Sequence, residues 1–239
     1  MEREFREVMK KSAGERGLEL DDEMAEKLEI YRKEMMMWNE KMNLTRITEC
    51  REFAVKHVVD SLMVVKKIEI KQRASLIDVG TGPGFPGIPI KLYRRDINLA
   101  LLESSRKKTG FLEEAVRKME LKGVSIISDR AESAARKAEH REKYDVAVAR
   151  AVASLNVLAE ICLPFVKMGG IFVAMKSKNV EEELEKSQKA IDIIGGSLRE
   201  VIDYDIEKEI KRKLVVIEKI KPTPEKYPRK AGMPEKSPL

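Results

Sequence analysis

The chain has 239 residues, of which 43% are hydrophobic and 37% charged, with a formal net charge of +6. That composition suits one large domain, or one domain with an appendage, with enough apolar residues for a sizeable core, and the positive charge points either to a polyanionic partner or to solubility alone. Two cysteines, Cys50 and Cys162, and two histidines, His57 and His140, leave too few ligands at any zinc spacing.

Residues 1 to 70 read as a helical extension. Apolar residues recur at helical spacing at Phe5, Val8 and Met9, then at Met24, Leu28, Tyr31 and Met35. The run Met35, Met36, Met37 reads as core filling. A further amphipathic helix spans "ECREFAVKHVVDSLMVVKKI". The N-terminus is charged from its second residue and carries no secretory signal. The longest apolar stretch, "AVASLNVLAEICLPFV", is polar at Ser154, Asn156 and Glu160 and too short to cross a bilayer. A soluble protein in a reducing cytoplasm is expected, with the monomer as the default state.

From residue 71 to 221 the pattern becomes α/β. "ASLIDV", "INLALLE", "GVSIIS", "YDVAVARAVA" and "GIFVAMK" read as strands, each followed by a helical segment. Those segments include "SRKKTGFLEEAVRKMEL", "AESAARKAEH", "LNVLAEICLPFVK" and "VEEELEKSQKAIDII". Two more strands, "SLREVIDYDI" and "KRKLVVIEKI", complete a doubly wound, mostly parallel, seven-stranded sheet. Residues 222–239 form a basic tail rich in proline. Composition alone favours a disordered end.

After the first strand comes "DVGTGPGFPGIP", residues 78–89. Gly82, Gly84 and Gly87 fit GxGxxG, the dinucleotide pattern. Asp78, Gly80, Gly82 and Gly84 fit DxGxGxG, the pattern of enzymes using S-adenosylmethionine. No Gly-Lys-Ser/Thr ends the segment, so a kinase-type phosphate loop is set aside. A dinucleotide places pyrophosphate on the following helix, where a carboxylate at Asp78 would sit poorly. S-adenosylmethionine carries an ammonium and a sulfonium but no phosphate, and suits Asp78 better. Gly80 and Gly82 let backbone approach the ligand closely.

Glu103 ends the second strand, where an acidic side chain binds ribose hydroxyls in such folds. "SDRAE" supplies Asp129, Ala131 and Glu132 at the third strand's end, and Arg150 ends the fourth. With Asp78 at the end of the first strand, four consecutive strand ends thus carry candidate contacts at the carboxyl edge of the sheet, where open α/β sheets bind ligands.

"WNEKMNLTRI", "KHVVDSL", "LIDVGTGPGFPGIPIKL", "DRAE", "ARAVASL" and "YPRKAGMPEKSPL" together resemble the ribosomal RNA small subunit methyltransferase G family, from Trp38 to Leu239. The resemblance implies a Rossmann-like methyltransferase fold and methyl transfer from S-adenosylmethionine to N7 of a guanosine in the decoding-region loop of 16S rRNA. The partner it implies is 16S rRNA or the small ribosomal subunit. Carried over by motif, the donor would contact Gly80, Phe85, Glu103, Ser104, Ser105, Ala131, Glu132 and Arg150. Ala149 stands where a serine is frequent in the family, and Met233 where a small polar residue is usual. A family-like "YPRKAG" shifts the tail from disorder to ordering near the catalytic domain or RNA.

Guanine N7 attacks with a lone pair and loses no proton, so no general base is required. Arg150 and Lys176, near the ends of strands four and five, are candidates to hold O6 of the base, the donor carboxylate or a phosphate. His57 either lines the same cleft or is a partly buried histidine bonded to Asp60 or Asp78. The runs at 93–95 and 105–108 are candidates for phosphates or simply solvated faces. Rival readings are a methyltransferase with another acceptor, a nicotinamide-dependent oxidoreductase and a noncatalytic ribosome assembly factor.

Overall fold

The computed structural model describes residues 2–150, 153–177, 179–207 and 210–239. Ala151 and Val152 of "ARAVASL" lie outside them.

The sheet is built from β1 (Ser75–Val79), β2 (Asn98–Glu103), β3 (Val124–Ser128), β4 (Tyr144–Arg150), β5 (Val166–Ser177), β6 (Gly196–Glu207) and β7 (Ile210–Lys219), in the order β3-β2-β1-β4-β5-β7-β6. The first five strands run parallel, and β7 runs antiparallel to β5 and β6. Strands buried on both faces need apolar residues at successive positions, which is why β1, β2 and β4 read as short apolar runs. Alternate side chains go to opposite faces. Leu76, Leu101, Val148 and Val173 join one core, and Ile77, Leu102, Ala147 and Phe172 the other. After β3 the chain returns past β1 to lay down β4 on its other side. That reversal opens a crevice at the carboxyl ends of β1 and β4.

The N-terminal helices α1 (Glu2–Gly14), α2 (Asp22–Asn39), α3 (Cys50–Phe53) and α4 (Asp60–Lys67) lie over the first face. Asp21 caps α2 by accepting the Met24 N–H at 2.8 Å. Phe5, Met9, Tyr31, Met35 and Phe53 share a core with Leu76 and Leu101. Met35 is fully buried, whereas Met37 is 48% exposed. The helix expected through residues 49–68 forms, but residues Ala54–Val59 adopt a π-helical turn between α3 and α4.

Helices α5 (Gly87–Tyr93), α6 (Arg106–Lys118), α7 (Ala131–Ala134), α8 (Leu155–Cys162) and α9 (Glu181–Ile194) connect the strands. Two differ from expectation. The helix after β3 stops at Ala134, and the one after β4 gives way at Leu163–Phe165 to a 3-10 turn, so that β5 begins at Val166. The tail is ordered, with Tyr227 8% exposed in the second core and a final turn of helix, α10 (Met233–Lys236). Among the described residues no helix is long and apolar enough to cross a membrane.

Candidate active site

The glycine loop is shaped from beneath by Asp78. Its side chain is fully buried, and Oδ2 accepts the Thr81 hydroxyl at 2.6 Å and the Gly87 N–H at 2.7 Å. Oδ1 is buried with no hydrogen-bond partner. Burial raises the Asp78 pKa to about 6 even though both donors favour the ionised form. The structure thus turns inward a carboxylate that the sequence places beside a cationic ligand. Two glycines in the loop serve different ends. Gly84 has φ +105°, and a Cβ there would meet Ile88 Cδ1 at 2.5 Å and the Tyr31 hydroxyl at 2.6 Å. Gly82 has φ +59°, and a Cβ there would meet nothing within 4 Å. Gly84 is closed by packing, and Gly82 borders open space. From α2, the buried Tyr31 donates its hydroxyl to the Pro83 carbonyl and packs against Phe85, with ring centroids 5.4 Å apart.

Beside the loop lies a pocket across the ends of β1, β2 and β3. Val79, Gly80 and Leu102 form its floor, with Ile161 of α8 on one side. Glu103, Ser104, Ala131 and Glu132 line it as well. Glu103 accepts the Gly82 N–H at 3.0 Å and the Ser105 N–H at 2.8 Å, one on each oxygen. Each oxygen keeps a lone-pair site for a further donor. Ser105 stands at the head of α6 and is absent from the pocket lining.

A second cleft, of about 470 Å³, opens at the ends of β4, β5 and β6 against the N-terminal helices. Arg150 sits at its centre. Nη1 pairs with Asp60 Oδ2 at 3.0 Å and donates to the Lys56 carbonyl at 3.2 Å, while Nη2 lies 3.3 Å from His57 Nδ1. The guanidinium lies 5.1 Å from the Phe85 ring centroid, and His57 stacks on that ring at 4.3 Å. His57 is therefore bonded to neither Asp60 nor Asp78. Arg150 can only donate, so Nδ1 accepts, and Nε2–H donates to Thr45 Oγ1 at 2.9 Å. Burial, and after it the Arg150 charge, push the His57 pKa down to about 3. The ring stays neutral at physiological pH. Asp60 Oδ1 accepts the Tyr204 hydroxyl of β6 at 2.8 Å, and burial followed by Asp60 raises the Tyr204 pKa. Lys176 donates to the Ala153 carbonyl at 2.8 Å and pairs with Glu183 at 2.7 Å.

A family model described as rRNA small subunit methyltransferase G matches residues 24–214. The chain belongs to the rRNA small subunit methyltransferase G family. It is similar to the ribosomal RNA small subunit methyltransferases G of Alkaliphilus metalliredigens, at 46% identity over 99% of both chains, and of Acetivibrio thermocellus, at 46% over 100% of this chain and 98% of the relative. The fold is also that of M. jannaschii TYW2 in complex with AdoMet, with TM-score 0.53, 16% identity and coverage of 67% and 77%. A SAM-dependent methyltransferase from Aquifex aeolicus gives TM-score 0.51 at 16% identity, covering 70% and 92%. Methyltransferase G chains of this kind are S-adenosylmethionine-dependent enzymes, and the first pocket has the chemistry to receive that donor. It offers a carboxylate for hydroxyls, apolar walls for a purine and bare backbone at Gly80. Among the described residues no cluster of His, Cys, Asp and Glu could hold a metal ion.

Several residues of the site in this methyltransferase carried no signal in the sequence that tied them to it. Tyr31, Thr45 and Tyr204 reach the site only through folding, although Thr45 falls within "WNEKMNLTRI". Gly232 and Pro234 of the tail line the first pocket, a placement that tail composition could not reveal.

Proposed function

We propose that this enzyme transfers the methyl group of S-adenosylmethionine to N7 of a guanosine in 16S rRNA. On this reading the donor's adenosyl part lies over Gly80, Glu103, Ser104, Ala131 and Glu132. Its amino-acid part lies beside Gly82, Asp78 acts through the Gly87 N–H it accepts, and Ser105 acts through the backbone N–H it donates to Glu103. S-adenosylmethionine supplies an electrophilic methyl on a positive sulfur. Arg150, with its guanidinium against the Phe85 ring, lines the second cleft, which would take the guanine. At about 470 Å³ that cleft falls in the range of roughly 300–1,000 Å³ usual for small-ligand sites. A loop guanine enters such a cleft by leaving its stack.

The observation that carries the N7 assignment is the commitment of the groups lining the cleft. His57 is neutral with both ring nitrogens engaged, Asp60 is held by Arg150 and Tyr204, and Glu183 pairs with Lys176. Each of the three is thus tied to a partner, His57 to Arg150 and Thr45, Asp60 to the Arg150 charge and Tyr204, and Glu183 to the Lys176 charge, so none of them stands as an unpaired base. An amino or hydroxyl acceptor would need a proton removed, whereas N7 does not. The task left to the site is orientation of N7 toward the methyl carbon, a large contribution in itself. Arg150 and Lys176, which line the cleft together with Lys56 and Arg212, are the candidates to donate to O6 or to a flanking phosphate. We infer that the enzyme works in the cytoplasm as a monomer on the small ribosomal subunit.

The test supplies labelled S-adenosylmethionine and small subunits lacking the modification, followed by digestion to nucleosides. Labelled 7-methylguanosine from one 16S position is the expected product. Label in a different nucleoside would overturn the N7 assignment, and donor binding with no labelled RNA would overturn the acceptor.

A further inference from the structure

We infer that the C-terminal segment 232–235 is a wall of the donor pocket, so that docking of the tail sets donor affinity. The inference rests on the reading that this pocket holds the adenosyl part of the donor. Gly232, Pro234 and Glu235 line the pocket together with Gly80 and Glu103. The Gly232 N–H donates at 2.8 Å to Oε1 of Glu132, whose side chain lines the same pocket. Gly232 itself has φ +80°, a left-handed conformation that glycine adopts without strain.

The tail is held there by one buried carboxylate and two arginines. Glu160 of α8 has no solvent exposure and receives Arg229 through its backbone N–H, Nε and Nη2, at 2.6 to 3.1 Å. Arg136 donates to the carbonyls of Pro228 and Lys226 at 2.9 and 3.0 Å, and Arg141 to those of Tyr227 and Thr223 at 2.9 and 2.8 Å. Three side chains from the segments around α7 and α8 thus grip tail backbone. Their product is a fixed position for residues 232–235 at the pocket rim. Whatever orders those residues favours the donor, and by linkage the donor favours their order.

Gly232→Pro tests this while sparing the Arg229–Glu160 anchor. It removes the N–H that Glu132 accepts, and its ring requires φ near −65° where the turn needs a positive value. Binding of S-adenosylhomocysteine and of methylthioadenosine, which lacks the amino-acid part, is measured by calorimetry alongside the melting temperature. The expected result is at least about a tenfold loss of affinity, equal for both ligands, with a melting temperature close to wild type. Glu103→Gln is the control for the pocket itself. If Glu103→Gln weakens both ligands and Gly232→Pro leaves them unchanged, the tail inference is wrong and the pocket assignment stands. If Glu103→Gln binds like wild type, the pocket assignment fails first. Loss of affinity for S-adenosylhomocysteine alone would place the tail against the amino-acid part and overturn the inference as stated.

Discussion

Asp78 shows how a motif residue can be read correctly by type and differently by direction. Its carboxylate holds the loop together from below, at the cost of burying a charge with one oxygen unpartnered. The folded-state pKa of about 6 exceeds the ordinary aspartate value of 3.8, so the folded form binds the extra proton between those values. Stability from this group is therefore present below about pH 3.8 and lost as pH rises through 6. In Asp78→Asn that loss disappears. Chemical denaturation at pH 4 and pH 7 should show the variant gaining on wild type by on the order of 2–3 kcal/mol over that interval. A constant difference would mean that Asp78 titrates normally. The glycines give a second contrast at the same scale. Gly82→Ala should fold with a cost near 1 kcal/mol from its positive φ yet lose donor affinity more than tenfold, because its methyl enters the space beside the loop. Gly84→Ala should lower the melting temperature sharply, since its methyl collides with Ile88 and Tyr31. Calorimetry and thermal melts on the two variants separate the roles.

At the scale of elements, the strands were legible because burial on both faces demands unbroken apolar runs, and β1, β2 and β4 have them. The helix through residues 49–68 was legible as helix, but its π turn was not, since a 3.6-residue periodicity tolerates one extra residue. The short α7 was over-read from "AESAARKAEH", where alanines favour helix but the chain must turn back to start β4. What sequence could not supply is the support from elements far along the chain. Tyr31 and Pro83 are 52 positions apart, Tyr204 and Asp60 144, and Gly232 and Glu132 100. No local pattern encodes such pairs. Helix α2 therefore does more than cover the sheet, because Tyr31 ties it to the glycine loop. Tyr31→Phe keeps the ring packing and deletes only the donated hydroxyl. It should cost about 1 kcal/mol of stability and weaken S-adenosylmethionine binding several-fold, read by denaturant titration and calorimetry. Unchanged donor affinity would confine α2 to a packing role.

At the scale of the molecule, the net charge of +6 becomes informative only once the fold assigns its charges to edges. Helix α5 starts at Gly87 by the carboxyl end of β1 and runs back toward the start of β2. Arg94 and Arg95 thus lie at the sheet edge opposite the clefts, where Arg94 pairs with Asp96 and Arg95 with Asp21. Helix α6 instead begins directly after β2, so Arg106 and Lys107 stand exposed at the edge that carries both clefts. Two basic runs that look alike in sequence are separated by the whole depth of the sheet. If rRNA approaches the carboxyl edge, only the second run meets phosphates. Each phosphate contact contributes roughly 0.7 to 0.9 to the slope of log K against log salt. The double variant Arg106→Ala/Lys107→Ala should therefore lower the slope by roughly 1.4 to 1.8, while Arg95→Ala leaves it at the wild-type value. Filter binding of small subunits across a salt series measures both. Equal losses from the two runs would mean that the enzyme's overall field, and not this edge, attracts the RNA.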